Sequence, residues 1–419
     1  MPARLLGASR RALLLGSGAL FAAAQLPRVA WADGRDPRFL VIVLRGALDG
    51  LAAVAPVGDP DWQELRGENA LTLGGKAAAL PLDAMFALDP AMPNFNRLYH
   101  SGRALVVHAV ATPYRDRSHF DGQNVLQTGA TKPGALDTGW LNRVASSLVR
   151  ERGIDPNTKR SLAIGPVAPL IIRGPAPVLS WEAGRLPPVS DETTMRLLDL
   201  YRHTDAAFAR VLEDRIGIEA IARAGGIDGG YKVGRPAMPQ DGAARVRAYF
   251  ADAAGAAGRF LATADGPRIA ALGFDGWDTH VNEGPVTGRL GNLLGALDGA
   301  FDALATNMDD AAWRQTIVIT VTEFGRTARI NGSGGTDHGT ATVALLAGGA
   351  LKGRRVVADW PGLKDANLYQ DRDLQPTADL RAVLKGLLRD HLGIAERVLT
   401  SEIFPDSVAI KPIPGLVQA

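Results

Sequence analysis

The chain has 419 residues, 46% of them hydrophobic, no cysteine and a formal net charge of +2. The absence of thiols excludes disulfides, thiolate metal sites and cysteine nucleophiles, so any metal must be held by histidine and carboxylate. A near-balanced charge speaks against nucleic acid or an anionic membrane as a partner, and the apolar content suffices for a large core.

In chain order, Ser9, Arg10 and Arg11 open an apolar run over 12–26, and Ala30-Trp31-Ala32 supplies the small residues of a cleavage site. This predicts a twin-arginine signal peptide over 1–32, engaged by the twin-arginine translocase and then removed. Its loss takes away four arginines and no acid, shifting the formal net charge from +2 to −2. The run is short for a membrane span, and no later uncharged stretch reaches the roughly 18 to 20 residues that spanning requires. The mature chain, 33–419, is therefore expected to be soluble and periplasmic or secreted. Its length fits two domains or one elaborated α/β domain; without repeats or low-complexity tracts, we expect a single α/β domain.

Residues 38–44 predict a buried first strand that delivers Arg45 and Asp49 just past its end. A short helix is expected over 95–100 and a strand over 103–110. The exit loop of that strand carries Ser118, His119 and Asp121 ahead of a helix beginning near Gly122 or Gln123. Ser118 thus lies close to a helix N-terminus, where backbone N–H groups favour an anion. That place suits a nucleophile attacking phosphate or sulfate, and equally an ordinary N-cap serine. A helix over 138–151 and a strand over 160–165 follow. From about 181 to 240 the pattern becomes helical and then rich in Gly and Pro, which predicts a helical insertion over the sheet. A helix over 243–264 precedes a strand over 267–274, which ends in Asp275, Asp278 and His280. Helices over 288–307 and 376–392 flank two further strands. Alternating strands and helices predict an α/β fold with a mostly parallel sheet and helices on both faces.

The two remaining strands, over 316–322 and 342–347, bracket a polar, glycine-rich loop. Glu323 and Arg326 leave the first of them, and Asp337 and His338 close the loop. Ligands of open α/β sheets bind at strand ends. Taken alone, Glu323 and Asp337 read equally well as turn caps, with His338 satisfying loop backbone. Together they say more, because three of the seven histidines fall beside carboxylates at predicted strand ends. Carboxylate and imidazole suit zinc or manganese, and magnesium or calcium where oxygens dominate. The alternation Asp278-Thr279-His280 lets an extended segment present Asp278 and His280 on one side.

Five motifs occur in order: Arg45-Gly46-Ala47-Leu48-Asp49-Gly50-Leu51, Arg117-Ser118-His119-Phe120-Asp121, Gly276-Trp277-Asp278-Thr279-His280, Thr322-Glu323-Phe324-Gly325-Arg326-Thr327 and Asp337-His338-Gly339. Over nearly the whole mature chain they resemble the domain-of-unknown-function 1501 family, which looks like a branch of the alkaline phosphatase-like superfamily of phosphatases, sulfatases and phosphosugar mutases. The resemblance implies one or two metals and a nucleophile at a helix start. By motif order, Asp49 would be a first-strand metal ligand and Ser118 the nucleophile. Asp275 or Asp278, with His280 and His338, would form one metal site. The second site ordinarily takes an Asp-His pair where this chain has Glu323-Phe324, and phenylalanine cannot coordinate. A second ion would then rest on Asp49, Ser118 and Glu323 as a hard, oxygen-bound ion, or be absent. Asp337 joins the candidate ligands, and Arg45 and Arg326 are candidates for clamping an anionic substrate.

Two functions follow as expectations. The first is an exported metal-dependent hydrolase or transferase acting on phosphate or sulfate esters, small or polymeric. The second, motivated by Glu323-Phe324, is a non-catalytic exported binding protein on the same scaffold.

Overall fold

The computed structural model describes residues 35–75, 77–152, 161–165, 167–182, 190–227 and 241–418, so the expected export segment 1–32 lies outside the described residues. Among the described residues no helix is long and apolar enough to cross a membrane.

Strand β1 (Arg38–Arg45) occupies the middle of the architecture. Leu40, Ile42 and Leu44 enter one core, and Phe39, Val41 and Val43 enter a second on the opposite face. Burying each of these side chains is worth roughly 1.5–3 kcal/mol, which explains why the run shows no polar alternation. Around it lie β2 (Ala104–Ala111), β3 (Ser161–Ile164), β4 (Val178–Trp181), β5 (Ile269–Asp275), β6 (Thr316–Val321) and β7 (Thr342–Ala347). The two-residue strands β8 (Val356–Val357) and β9 (Ala378–Asp379) lie at one edge. The order is β8-β2-β7-β6-β1-β5-β3-β4, with β9 also paired to β2.

The sheet is mostly parallel, as expected, but β7 runs antiparallel to both β2 and β6. That reversal places the N-terminal end of β7 beside the C-terminal ends of β1, β5 and β6. Asp337 and His338, which precede β7, therefore reach the same edge as Asp278 and His280, which follow β5.

Helices cover both faces. Helices α1 (Pro93–His100), α6 (Gly242–Ala262) and α7 (Arg289–Thr306) pack on the Leu40 face. Helices α2 (His119–Thr128), α3 (Trp140–Arg152) and α8 (Leu380–Leu392) pack on the Phe39 face. Between β4 and α6 the chain forms α4 (Asp191–Thr204) and α5 (Ala206–Ala224), capped by the side chains of Ser190 and Asp205.

Three details differ from the sequence reading. Helix α2 starts at His119 rather than near Gly122, with Ser118 in extended backbone as its N-cap residue. Residues Val178–Trp181 form an edge strand where the helical stretch was expected to open. Helix α8 begins at Leu380, because Ala378 and Asp379 first pair with β2 and the Asp379 carboxylate then accepts the Arg381 N–H.

Candidate metal centre

Three chain segments meet at this edge of the sheet. After β5, Gly276 takes φ 107° and turns the chain so that Trp277 donates its N–H to the Arg45 carbonyl at 3.1 Å. Gly46, at φ 117°, allows this close approach, since a Cβ there would stand 2.5 Å from the Asp278 nitrogen. Thr279 is fully buried and donates to Glu283 at 2.8 Å. Its neighbours Asp278 and His280 point the other way, and His280 Nε2 lies 3.1 Å from Asp278 Oδ1. The second segment holds His338 by a bridge to Arg326, with the Gly339 N–H on the Gly325 carbonyl at 2.8 Å. The third is the start of α2, which contributes His119.

The imidazoles are arranged alike. His119 Nδ1 meets Glu323 Oε1 at 2.8 Å, His280 Nδ1 meets Asp337 Oδ1 at 3.3 Å, and His338 Nδ1 meets the Arg117 carbonyl at 2.9 Å. With their Nδ1 atoms so engaged, the rings turn their Nε2 atoms toward Asp278. The His280 and His338 Nε2 atoms are 3.0 Å apart, and His338 Nε2 is 3.4 Å from Asp278 Oδ1. His119 Nε2 is 3.6 Å from Asp278 Oδ2, too far for a hydrogen bond, and is buried without a hydrogen-bond partner. Ligand atoms of His119, Asp278 and His338 all lie within 4.8 Å of one another.

This geometry fits a divalent ion. Imidazole rings fixed through Nδ1 by a carboxylate or carbonyl, with Nε2 left open, are the usual surroundings of zinc-binding histidines. An orphaned buried Nε2 is otherwise costly. Nitrogen donors with one carboxylate oxygen match zinc in kind, while a magnesium site would call for oxygens throughout.

Neighbouring charges tune the groups in opposite directions. The hydrogen bond to Glu323 raises the His119 pKa above its ordinary value against the opposing effect of burial. Burial, then the nearby His119 charge, lowers that of His338. For Asp278, burial acts upward, but Arg326 and His280 outweigh it and leave the carboxyl below its usual range.

The sequence-predicted residues divide into three groups. Asp278, His280 and His338 converge as described. Glu323 and Asp337 lie behind the imidazoles, orienting them. Glu323 is fully buried and also accepts from Gly46 N–H at 2.9 Å and Gln123 Nε2 at 2.6 Å. Asp49, Asp275 and Arg45 are not brought into the cluster. Both Asp49 oxygens accept from the Arg66 guanidinium, and one also caps the N–H groups of Leu51 and Ala52, so its lone pairs are engaged. Asp275 turns outward and pairs with Arg45 at 3.1 Å. Arg326 does reach the cluster: Nη1 donates to Asp278 Oδ1 at 2.9 Å, and Nη2 is buried without a partner. The Ser118 side chain forms no capping bond.

His119 stands among the strand-end ligands that the sequence offers, but the motif order does not place it in the metal set. The available signal was its place between Ser118 and Asp121 in a strand-exit loop. Its ring stacks on Phe324, with centroids 5.1 Å apart and an interplanar angle of 28°. The phenylalanine that cannot coordinate thus supports an imidazole supplied from elsewhere in the chain.

Residues 102–403 match the profile of the family described as "Protein of unknown function (DUF1501)". No curated protein sequence matches. Solved structures with similarity include Ps i-CgsB in complex with k-i-k-neocarrahexaose, at 10% identity and TM-score 0.40, covering 90% of this chain and 77% of that one. The PsFucS1 sulfatase from Pseudoalteromonas sp. aligns at 12% identity and TM-score 0.34, covering 81% and 68%. The phosphonate monoester hydrolase of Agrobacterium radiobacter aligns at 12% identity and TM-score 0.36, covering 86% and 74%.

Proposed function

This chain belongs to the DUF1501 family, and from that premise we propose that it is an exported hydrolase or transferase of phosphate or sulfate esters that works with one divalent ion, zinc before manganese. The observation that carries this reading is the convergence of three Nδ1-oriented imidazoles on Asp278, with their Nε2 atoms turned inward and that of His119 buried without a partner. His119, His280, His338 and Asp278 would hold the ion. When bound, it supplies Lewis acidity that polarises an ester oxygen.

The chain's own groups supply the rest. Arg326 fixes Asp278 with Nη1 and offers the unpartnered Nη2 to an anionic oxygen, where developing charge would be stabilised. Ser118 attacks phosphorus or sulfur in this reading, forming the new O–P or O–S bond as the ester's alcohol departs. Its hydroxyl is not consumed as a cap, and the free N–H groups at the start of α2 favour the anion being attacked.

The test is elemental analysis of the mature protein purified without chelators, beside the His280→Ala/His338→Ala double variant, with turnover of p-nitrophenyl phosphate and p-nitrophenyl sulfate. Near-stoichiometric metal and turnover that both vanish in the variant support the proposal. Absence of metal from the wild type would overturn it.

A second reading, the non-catalytic binding protein, draws on one observation. Asp49 is held by Arg66 and Phe324 is apolar, so neither is free to hold a second ion that would activate Ser118. Ser118→Ala tests the hydrolase reading, in which turnover should collapse while bound metal stays; a wild type that binds metal yet turns over neither ester favours the binding protein.

A further inference from the structure

On the β3 side of the centre lies a cavity of about 420 Å³, within the range of small-molecule sites. Arg45, Asp275, Arg173, Gln127, Tyr249 and Leu170 are among the residues lining it. Neither reading of the metal centre uses this cavity.

Its walls are built for a particular chemistry. Arg45 lies flat over Gly273, where a Cβ would come within 2.9 Å of Nη1 and 3.0 Å of Nη2. The bare strand position therefore sets the guanidinium's height. Asp275 takes one of its hydrogens at 3.1 Å, leaving others for an occupant. Arg173 donates through Nε to the Ala168 carbonyl at 2.5 Å, and its terminal nitrogens make no bond to a described residue. Two guanidinium groups against one carboxylate leave the wall positive. Asp275 and the Gln127 amide add an acceptor and a donor suited to hydroxyls, while Leu170 offers an apolar surface.

A relay of hydrogen bonds links the cavity wall to one imidazole: Gln127 donates to Gln123 at 2.8 Å, Gln123 donates to Glu323 at 2.6 Å, and Glu323 holds His119.

We infer that this cavity is a recognition subsite for an anionic, polyhydroxylated group, the chemistry of an acidic sugar carrying a carboxylate, sulfate or phosphate. The cavity binds that group through Arg45 and Arg173 and reads its hydroxyls through Asp275 and Gln127. That the occupant is part of the substrate rests on the hydrolase reading above; that the cavity binds it does not.

Calorimetric titration with D-glucuronate, glucose 6-sulfate and D-glucose tests the inference in four proteins: wild type, Arg173→Ala, Gly273→Ala and His280→Ala/His338→Ala. One or both anionic sugars should bind at least about tenfold more tightly than glucose, the least that one charge-assisted pair supplies. Arg173→Ala should lose about that factor, and the double histidine variant should keep wild-type affinity. Gly273→Ala, which displaces Arg45, provides a second loss. The stronger of the two anions identifies the oxyanion. Equal affinity for all three sugars, no effect of Arg173→Ala, or loss of binding in the double histidine variant would overturn the inference. A metal-free wild type that still binds glucuronate would sink the hydrolase reading and leave the subsite standing.

Discussion

Two interior histidines stand against three at the sheet edge, and the contrast shows how the centre is built. His108 and His391 lie in the interior with Nε2 on the carbonyls of Val54 at 2.9 Å and Arg38 at 3.0 Å. His119, His280 and His338 lie at the sheet edge with Nδ1 engaged and Nε2 turned toward Asp278, that of His119 without a partner. The aspartates repeat the pattern: Asp49 is buried against Arg66, whereas Asp278 faces three imidazoles. Residue type alone does not separate these cases. What separates them is the company of the outer polar atom: a backbone carbonyl or Arg66 in the interior, other ligand-type atoms at the sheet edge.

The sharpest way to break this contrast is to remove two of the edge imidazoles. His280→Ala/His338→Ala should take bound metal from about one ion per chain to background by plasma mass spectrometry, since two donors cannot hold zinc that wants four. His108→Asn should leave metal content unchanged in the same measurement.

Next in size is the locked aspartate. Arg66→Met leaves Asp49 uncompensated beside Glu283, whose own carboxyl is pushed up to about 8 by burial and then by the Asp49 charge. The expected loss is about 3–5 kcal/mol by urea unfolding. Asp49→Asn in the same background should restore part of it.

The interior histidines carry a pH signature. Burial pushes both His108 and His391 down to about 4, against an ordinary value of 6.5. The unfolded chain takes up their protons as pH falls below 6.5 while the folded chain resists until about 4. Their stabilisation is therefore complete above 6.5 and is lost across that window, on the order of 3 kcal/mol each. It should be read as the difference in unfolding free energy between wild type and His108→Asn at neutral and acid pH. Asp89, with its carboxyl raised to about 7 by burial, acts in the opposite direction and cancels in that difference.

The smallest effect tests orientation. Glu323→Gln keeps the size of the group behind His119 but weakens its grip on Nδ1, and should reduce metal affinity about 10- to 100-fold in competition with a chelating dye.

Much of the scaffold is legible in the sequence because β1, β5 and β6 are apolar runs too continuous to be half-exposed. The alternation Asp278-Thr279-His280 likewise announces its own geometry. The direction of β7 is not legible, since the side-chain period of a strand is the same in either sense. The pairing that sets His119 in the centre is hidden for another reason: its partner Glu323 stands 204 residues away, and only the folded sheet brings them together. Arg66 is 17 residues from Asp49, yet nothing in that spacing says that a five-residue helix will turn it inward. The Arg173 subsite depends on the shape of a wall, which no local pattern encodes.

The antiparallel strand has one more consequence. Because His338 enters from the chain preceding β7, the centre joins His119, the Asp278-His280 pair and a segment 58 residues beyond His280. An ion held there acts as a cross-link, closing long loops in a chain that has no cysteine with which to close them. Chelation should then do to this protein what reduction does to a disulfide-bonded one, loosening the loops between the ligands first.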